Sequence, residues 1–485
     1  MSKVNDKSSA VAAMEGDWAK IDALVGGTKA MRAAGTDFLP KFPAESQEAY
    51  DFRKKTSTLY NATGRTIENM AAKPFAEATT VRDIEEPGKT WLENIDLCGN
   101  NVTVFAHKLL QAGLAYGLTH ILVDMPTTVD KDGKALYPTK AAEQSAGVRP
   151  YLVHITPKQI LGWRSTRGAD GQESLAMLRF MESVEENNGE FGTKTIAQIR
   201  VLTPTTWATY RKVEKPTSGQ AAEEWSLDKS GPVSLGKVPL VTFYTKRTGF
   251  MTAVPPLLDM ADLNIKHWQS SSDQDSILHT ARVPVLAISG VQDDDKIEIG
   301  PKAFLRLPIG AEAKYIEHSG AAIEAGRLSL KDLEDQMRAM GAELLVESQV
   351  ATTATQNNIE DGEAKSQLKL MVEGEEDALD NAITLMHEWV GLEFKGKTDI
   401  FKDFSSDAIL AAAAPFVLSL VQLVNNRLMS KEDAFNEMRR YGIINPDLVW
   451  ADVQERIAAE PPEFDMGMLG APTPSSAPAP APAAD

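Results

Sequence analysis

The sequence has almost no cysteine. Cys98 stands alone in 485 residues, so neither a disulfide within the chain nor a cysteine-based metal site can form, and a reducing compartment fits. Cations are outnumbered: 50 Lys and Arg face 68 Asp and Glu, giving a formal charge of -18 and a pI near 5.0. A protein that grips a nucleic-acid backbone gains from releasing the counterions around phosphates, and shows a basic face for it. This charge balance therefore speaks against tight static binding of DNA, though not against a passage through which DNA slides. The polar N-terminus, Met1–Ala10, lacks the apolar core of a secretion signal. Long apolar runs are missing except for Ala408–Val424, which is near the lower length limit for a spanning helix and contains Pro415, Ser419 and Gln422. Its length and polar content read as a buried helix, and no membrane partner is expected.

Catalytic signatures are also scarce. There is no Gly-x-Ser-x-Gly elbow and no dinucleotide glycine fingerprint. His387-Glu388 begins a zinc-protease pattern, but position 391 is glycine where a second histidine is needed one helical turn on. His107, His120, His154, His267, His279 and His318 show no ligand spacing. Asp293, Asp294, Asp295 and Glu298 form a compact acidic cluster, read as a solvated acidic loop in preference to a cation site. Gly391–Thr398 (GLEFKGKT) matches the phosphate-loop pattern GxxxxGK[ST] letter for letter. Such a loop works only between a strand and a following helix, so that backbone N–H groups face the phosphates. Here a long helix is expected before Gly391 and a strand after Lys397, which reads instead as a glycine-ended helix, a turn and a strand. No enzyme, cofactor or metal site is expected; a nucleotide-binding packaging ATPase using Gly391–Thr398 is the alternative.

The composition is otherwise that of a globular chain, with 43% hydrophobic and 24% charged residues. At this length two or three lobes are expected, in a helix-rich α+β fold. Residues 1–40 show little sustained periodicity and several glycines, and read as a flexible arm. Ser46–Met70 turns helical, with Tyr50, Leu59, Ile67 and Met70 on its apolar face and Pro74 as the stop. A helix is expected over Trp91–Tyr116, ended by Gly117, followed by a buried strand at Thr119–Asp124. From about 149 to 246, short runs rich in Val, Ile, Thr, Tyr and Phe alternate with turn clusters, predicting an antiparallel β region; Glu185–Gly192 reads as a hairpin tip. A helix begins at Pro255–Pro256 with Leu257, Ala261, Ile265 and Trp268 on one face. It then carries a polar run, Gln269–Ser276, which suits a helix flanked by neighbouring subunits or lining a wet channel. A short β section, a helix over about 321–346, a small polar stretch at Glu347–Ile359 and a third long helix from near Asp361 follow. That last helix has Leu368, Met371, Val372, Leu379, Ile383, Met386 and Val390 as its buried stripe. The Pro/Ala-rich end, 461–485, is expected to be disordered.

The run Phe42-Pro43, Tyr50-Asp-Phe-Arg53, Leu59-Tyr60-Asn61-Ala-Thr63-Gly-Arg65-Thr66, Lys73-Pro74-Phe75 resembles a portal-like family of tailed-phage proteins, often given only as a domain of unknown function. The similarity continues through Gly113–Gly117, Val123-Asp124, Arg149-Pro-Tyr151 and Pro256–Asn264, and the order of elements supports it more than any one string. What the resemblance implies is a cyclic ring, usually of twelve subunits, that forms the channel for DNA packaging and ejection in a virion assembled in the bacterial cytoplasm. Residues 41–254 would be the wing, 255–281 the first stem helix, 282–318 the clip and 319–346 the second stem helix. Residues 347–360 would be the tunnel loop, 361–403 the long wing helix with its return strand, and 404–460 a helical crown. The expected partners are further copies of the chain, double-stranded DNA held without sequence specificity, the large terminase, a head–tail adaptor, and the major capsid or scaffold protein. Ser348, Gln349, Thr352, Thr353, Thr355, Gln356, Asn357 and Asn358 would face DNA, touching it without ionic grip. The acidic cluster at Asp293, Asp294, Asp295 and Glu298 would sit in the clip. Another minor capsid or scaffold protein is the remaining alternative.

Overall fold

The computed structural model describes residues 3–126, 128, 135–215, 222–281, 285–289, 312–316, 321–345, 347–348, 365–402 and 420–440, with 450, 453–454 and 456. The chain divides into two compact units, Met1–Ser405 and Ser406–Asp485. The protein is 48% helical and 25% strand, which settles the mixed α+β character, and among the described residues every strand pairing is antiparallel.

The first unit opens with α1 (Ser9–Val25) and α2 (Gly27–Ala34). Ser8 caps α1 by accepting from the Val11 amide. Val11, Met14, Trp18, Ile21 and Leu24 recur at helical spacing and are buried, each such burial contributing about 2 kcal/mol. Val11, Met14 and Trp18 pack against Leu118, Leu122, Ile155, Leu178, Phe180 and Leu202, and the Trp18 indole Nε1 donates to the Tyr116 carbonyl at 3.3 Å. The expected flexible arm is thus a core helix. Gly16 lies inside α1 with open space around it, and Gly26 closes the helix by donating to the Asp22 carbonyl.

Two helices, α3 (Gln47–Thr56) and α4 (Ala62–Ala72), replace the single helical stretch expected over 46–70. Asn61 caps the second by accepting from Gly64. β1 (Thr80–Arg82), the single turn α5 (Gly88–Trp91) and α6 (Val102–Tyr116) follow. The helix expected from Trp91 is broken before Val102, because Leu97 and Gly99 both take positive φ, 57° and 89°. At its other end the expectation holds: Gly117 is left-handed at φ 85° and returns its amide to Gly113.

β2 (Leu118–Asp124) is central in a three-stranded sheet of order β3-β2-β9. After α7 (Lys140–Ser145) come β3 (Tyr151–Ile155) and a meander of five strands, β4 (Ile160–Arg167), β5 (Glu173–Asn188), β6 (Gly192–Leu202), β7 (Thr206–Lys215) and β8 (Ala222–Pro232). β9 (Leu240–Tyr244), β10 (Arg247–Gly249) and β11 (Thr252–Ala253) complete the region. The two larger sheets are joined by a charged clasp. Arg200 on β6 donates to both carboxylate oxygens of Asp124 on β2, at 2.6 and 3.3 Å, and burial beside Asp124 pushes the Tyr151 phenol up to about 12.

Then come α8 (Leu258–Ala281), β12 (Val285–Ser289), β13 (Glu312–Ile316), α9 (Ala321–Glu343), β14 (Glu347–Ser348), β15 (Lys365–Ser366), α10 (Gln367–Val390) and β16 (Lys397–Asp399). α10 packs on β9, β2 and α6 through the expected stripe, of which Val390 alone stays half-exposed. In the second unit α11 (Lys431–Arg440) buries Ala434 and Phe435, and Phe435 stacks obliquely on Trp450 at 5.2 Å. Among the described residues no helix is long and apolar enough to cross a membrane. Most of Ala408–Val424, the body of the expected crown and all of 461–485 lie outside the described residues.

Candidate functional site

The expected channel elements are placed by α8 and α9. With 24 residues, α8 is about 36 Å long. The two helices run antiparallel: Gln274 of α8 lies against Gly326 of α9, His267 against Glu334 at 3.6 Å, and Met260 beside Gly341. Gly326 permits the close approach, since a Cβ there would stand 2.0 Å from the Gln274 Oε1, and the Gln274 amide donates to the Ile323 carbonyl at 2.8 Å. The sequence signal for this contact is the glycine inside an otherwise good helix.

Part of the polar run of α8, Gln269–Ser276, is bonded within the chain. It docks the 38–63 segment of its own chain. The Gln269 amide donates to the Phe38 carbonyl at 3.0 Å, and the Ser57 and Ser272 hydroxyls meet at 2.8 Å. One turn and more upstream, Asn264 accepts from the Thr63 amide and hydroxyl at 3.0 and 3.1 Å and donates to the Tyr60 carbonyl at 2.7 Å. Arg53 organises the same contact. Its guanidinium forks onto Glu45 with two bonds of 2.8 Å, donates to the Pro40 carbonyl at 2.7 Å and lies over the Phe42 ring at 4.3 Å. This pairing holds the Glu45 carboxyl below its usual range. Buried polar side chains need partners, and here those partners are some two hundred residues away in sequence, beyond the reach of local periodicity.

The tips of the pair are built from strands. β12 and β13 register Val285 with Ile316 and Ser289 with Glu312, between the C-terminus of α8 and the N-terminus of α9. At the opposite end β14 and β15 set Ser348 across from Lys365 and Glu347 across from Ser366, gathering both ends of residues 349–364. Ser366 then caps α10 by accepting from Lys369, and the Leu368 amide donates to the Leu344 carbonyl at 3.0 Å. Of the expected DNA-facing residues, Ser348 sits in this two-stranded neck. Gln349, Thr352, Thr353, Thr355, Gln356, Asn357 and Asn358 lie outside the described residues, as do Asp293, Asp294, Asp295 and Glu298. Among the described residues no group of three His, Cys, Asp or Glu side chains has metal-binding geometry.

The exposed face of α9 carries charge that is largely self-paired. Arg327 reaches Glu324, and Arg338 reaches Asp335 and Glu334. Exposed pairs of this kind add little stability.

The phosphate-loop match is resolved by geometry. α10 ends at Gly391, left-handed at φ 76°, whose amide returns to Glu388 and His387 carbonyls. β16 follows and pairs with β1. Lys397 is bound to Asp380 at 3.1 Å, and the Thr398 amide donates to the same carboxylate at 2.7 Å. The loop therefore presents a helix C-terminus, with carbonyls in place of the N–H groups a phosphate needs, and its lysine answers an internal carboxylate. His387 is likewise structural. Its Nδ1 donates to the Ile383 carbonyl at 2.8 Å, and its ring lies between Trp91 and Phe394.

The family described as a domain of unknown function (DUF4055) matches residues 256–390, the span from α8 through α10. No curated protein matches the chain. Among solved structures, the chain is similar at 12% identity to a component of the virion of the native gene transfer agent particle, with a TM-score of 0.35, covering 79% of this chain and 90% of that one. It is similar at 12% identity to a component of the neck of the empty gene transfer agent particle computed with C6 symmetry, with a TM-score of 0.37 and coverage of 76% and 86%. The neck of the native particle computed with C12 symmetry gives 12%, 0.35, 79% and 90%.

Proposed function

We propose that the chain is a portal subunit of a tailed double-stranded DNA phage, one member of a ring through which DNA is packaged and ejected. The observation that carries this reading is the order and pairing of α8, β12–β13, α9, the β14–β15 neck and α10. Two long antiparallel helices bear a strand-built tip at one end and the two-stranded β14–β15 neck at the other. On this reading the β12–β13 tip is the clip that meets the large terminase and later the head–tail adaptor, and the wing contacts the capsid or scaffold protein at the virion vertex. Head-to-tail contacts close the ring, because a heterologous interface leaves a central hole. The net charge of -18 per chain, repeated around the ring, repels phosphates over a screening length of about 8–10 Å. DNA is met by uncharged side chains from Ser348 to Asn358, which let it slide. The chain performs no chemistry of its own, and the motor that consumes ATP is a separate protein.

Native mass spectrometry of the purified full chain, with negative-stain images of the same sample, tests this. A closed particle of roughly twelve chains with a central hole is expected. A chain that stays monomeric alone and when co-expressed with its shell and scaffold proteins overturns it. Within the ring, Thr352→Lys with Thr355→Lys is expected to slow DNA packaging while leaving assembly intact; unchanged packaging removes the tunnel-loop assignment.

A further inference from the structure

We propose that the pocket between the end of α10 and the turn after β1 binds a guanidinium head, with His387 Nε2 as its buried acceptor and Asp83 and Glu85 as its counter-charges. The pocket holds about 460 Å³ and is walled by the 83–86 turn, His387 and the 392–395 turn. All of that lining comes from one chain, so binding does not require a ring.

The structural role of His387 uses one ring nitrogen only. Its Nδ1 donates to the Ile383 carbonyl, which fixes the neutral tautomer and leaves Nε2 with a lone pair. His387 is only 4% exposed and lines the pocket, yet among the described residues Nε2 meets no donor. Buried acceptors are ordinarily satisfied. Gly88, at the start of α5, keeps room beside this one: a Cβ there would stand 2.4 Å from Nε2.

The missing donor is a cation. Four carboxylates line the pocket, Asp83, Glu85, Glu86 and Glu393, against the single lysine Lys395. Lys395 is taken by Glu393 at 3.2 Å, and Glu86 accepts from the Thr90 amide and hydroxyl. Among the described residues the carboxylates of Asp83 and Glu85 have no ion-pair or hydrogen-bond partner. The neighbouring cations are engaged elsewhere, Arg82 with Asp399 and Lys237 with Glu388. The negative end of the α10 dipole adds to the same field. The segment whose letters match a phosphate loop therefore favours the opposite charge. A metal ion is not the fit, since among the described residues no three ligand side chains converge. A flat head is. The Phe394 ring stacks on His387 at 5.2 Å, an aromatic surface that suits a guanidinium better than a compact, strongly hydrated ammonium. The guanidinium fork donates in several directions at once, to Nε2 and to a carboxylate.

Butylguanidinium and butylammonium are titrated calorimetrically into the purified full chain near neutral pH and at low salt. Butylguanidinium is expected to bind with a Kd of about 1 mM or tighter, and butylammonium about tenfold more weakly. Asp83→Asn with Glu85→Gln, both on exposed side chains, is expected to weaken butylguanidinium about tenfold at an unchanged thermal melt. Gly88→Ala, which fills the space beside Nε2, is expected to abolish binding. Acetyl-Gly-Arg-Gly-amide offers the same head on a peptide. Tighter binding of the peptide assigns the pocket to an arginine of another protein, and binding no tighter assigns it to a free guanidinium compound. Absence of binding by both guanidinium probes overturns the proposal. So does equal binding by wild type and the doubly neutralised chain, or a butylammonium that matches butylguanidinium. None of these results bears on ring formation, which is read separately by mass spectrometry.

Discussion

Along β2, every residue from Leu118 to Val123 is buried, whereas α9 buries Leu333 and Met337 and leaves most of its described side chains in water. The sheet core is held by apolar packing: α1 on one side, and α6 with α10 on the other. The contact of α8 with the 38–63 segment is held by hydrogen bonds from Asn264, Gln269 and Ser272. Apolar packing is nondirectional and tolerant of small shifts, while a buried polar contact is costly to leave half-made. The difference teaches that the sheet core sets the fold and that the polar contact fixes where α8 stands on it. A long helix pair with an exposed face then has a defined direction relative to a rigid body.

The largest expected effect breaks the core side. Trp18→Ala should cost about 3–5 kcal/mol, read as a lowered urea midpoint at unchanged slope. A wild-type midpoint would restore the flexible-arm reading of residues 1–40. Next comes the polar side. Arg53→Ala should cost about 3 kcal/mol, because it leaves Glu45 buried and unpaired, with a side chain only 8% exposed. Replacing both partners, Arg53→Met with Glu45→Leu, should regain most of that loss. Arg338→Ala on the open face of α9 should leave the midpoint where it was. Equal losses at Arg53 and Arg338 would erase the distinction between the buried contact and the surface.

Much of this was legible in the residues. The apolar run at 118–123, the left-handed stop at Gly117 and the stripe of α10 each follow from local chemistry, and structure and expectation agree there. The antiparallel region was legible too, though β5 and β6 extend toward the tip, so that Glu185–Asn188 are strand and the turn narrows to 189–191. The misreadings share a cause. Val11, Met14, Trp18, Ile21 and Leu24 have helical spacing, but Gly16, Gly26 and Gly27 beside them read as breakers. At Gln269–Ser276 the hydrogen-bond partners of Gln269 and Ser272 are Phe38 and Ser57, which lie on either side of α3. A polar residue does not announce whether water or a distant carbonyl satisfies it. At the candidate site, two long helices with a short β section between them were legible, whereas β13 at Glu312–Ile316 was not expected, nor was the neck at Ser348↔Lys365, where two residues per strand leave no pattern.

The remaining effects concern pH, and they sharpen the comparison because the sheet core hides titratable groups of opposite sense. Burial holds the His120 imidazole at about 3, with His154 nearby adding to the effect, and holds His154 at about 4. Their ring nitrogens meet the Thr242 and Thr119 hydroxyls at 3.0 and 2.7 Å. The unfolded chain protonates these groups below about 6.5 and the folded one does not, so stability falls as pH drops from 6.5 through 4. His267, also depressed by burial, acts in the same direction from α8. Glu375 does the reverse. It is fully buried, and burial followed by the charge of Glu376 raises its pKa well above the usual range, against a backbone hydrogen bond from Leu110 that lowers it. The folded chain keeps that proton while the unfolded chain releases it above about 4.5, so stability is lost as pH rises from there. Each group changes stability by at most about 1.4 kcal/mol per pH unit. Glu375→Gln removes a titration but not the buried polar head, so its offset from wild type contains a constant part and a part that grows with pH. Chemical denaturation of both chains between pH 5 and 8 should show the variant gaining steadily on wild type. Parallel curves would mean that Glu375 is already ionised in the fold, with a partner that opens to it in solution.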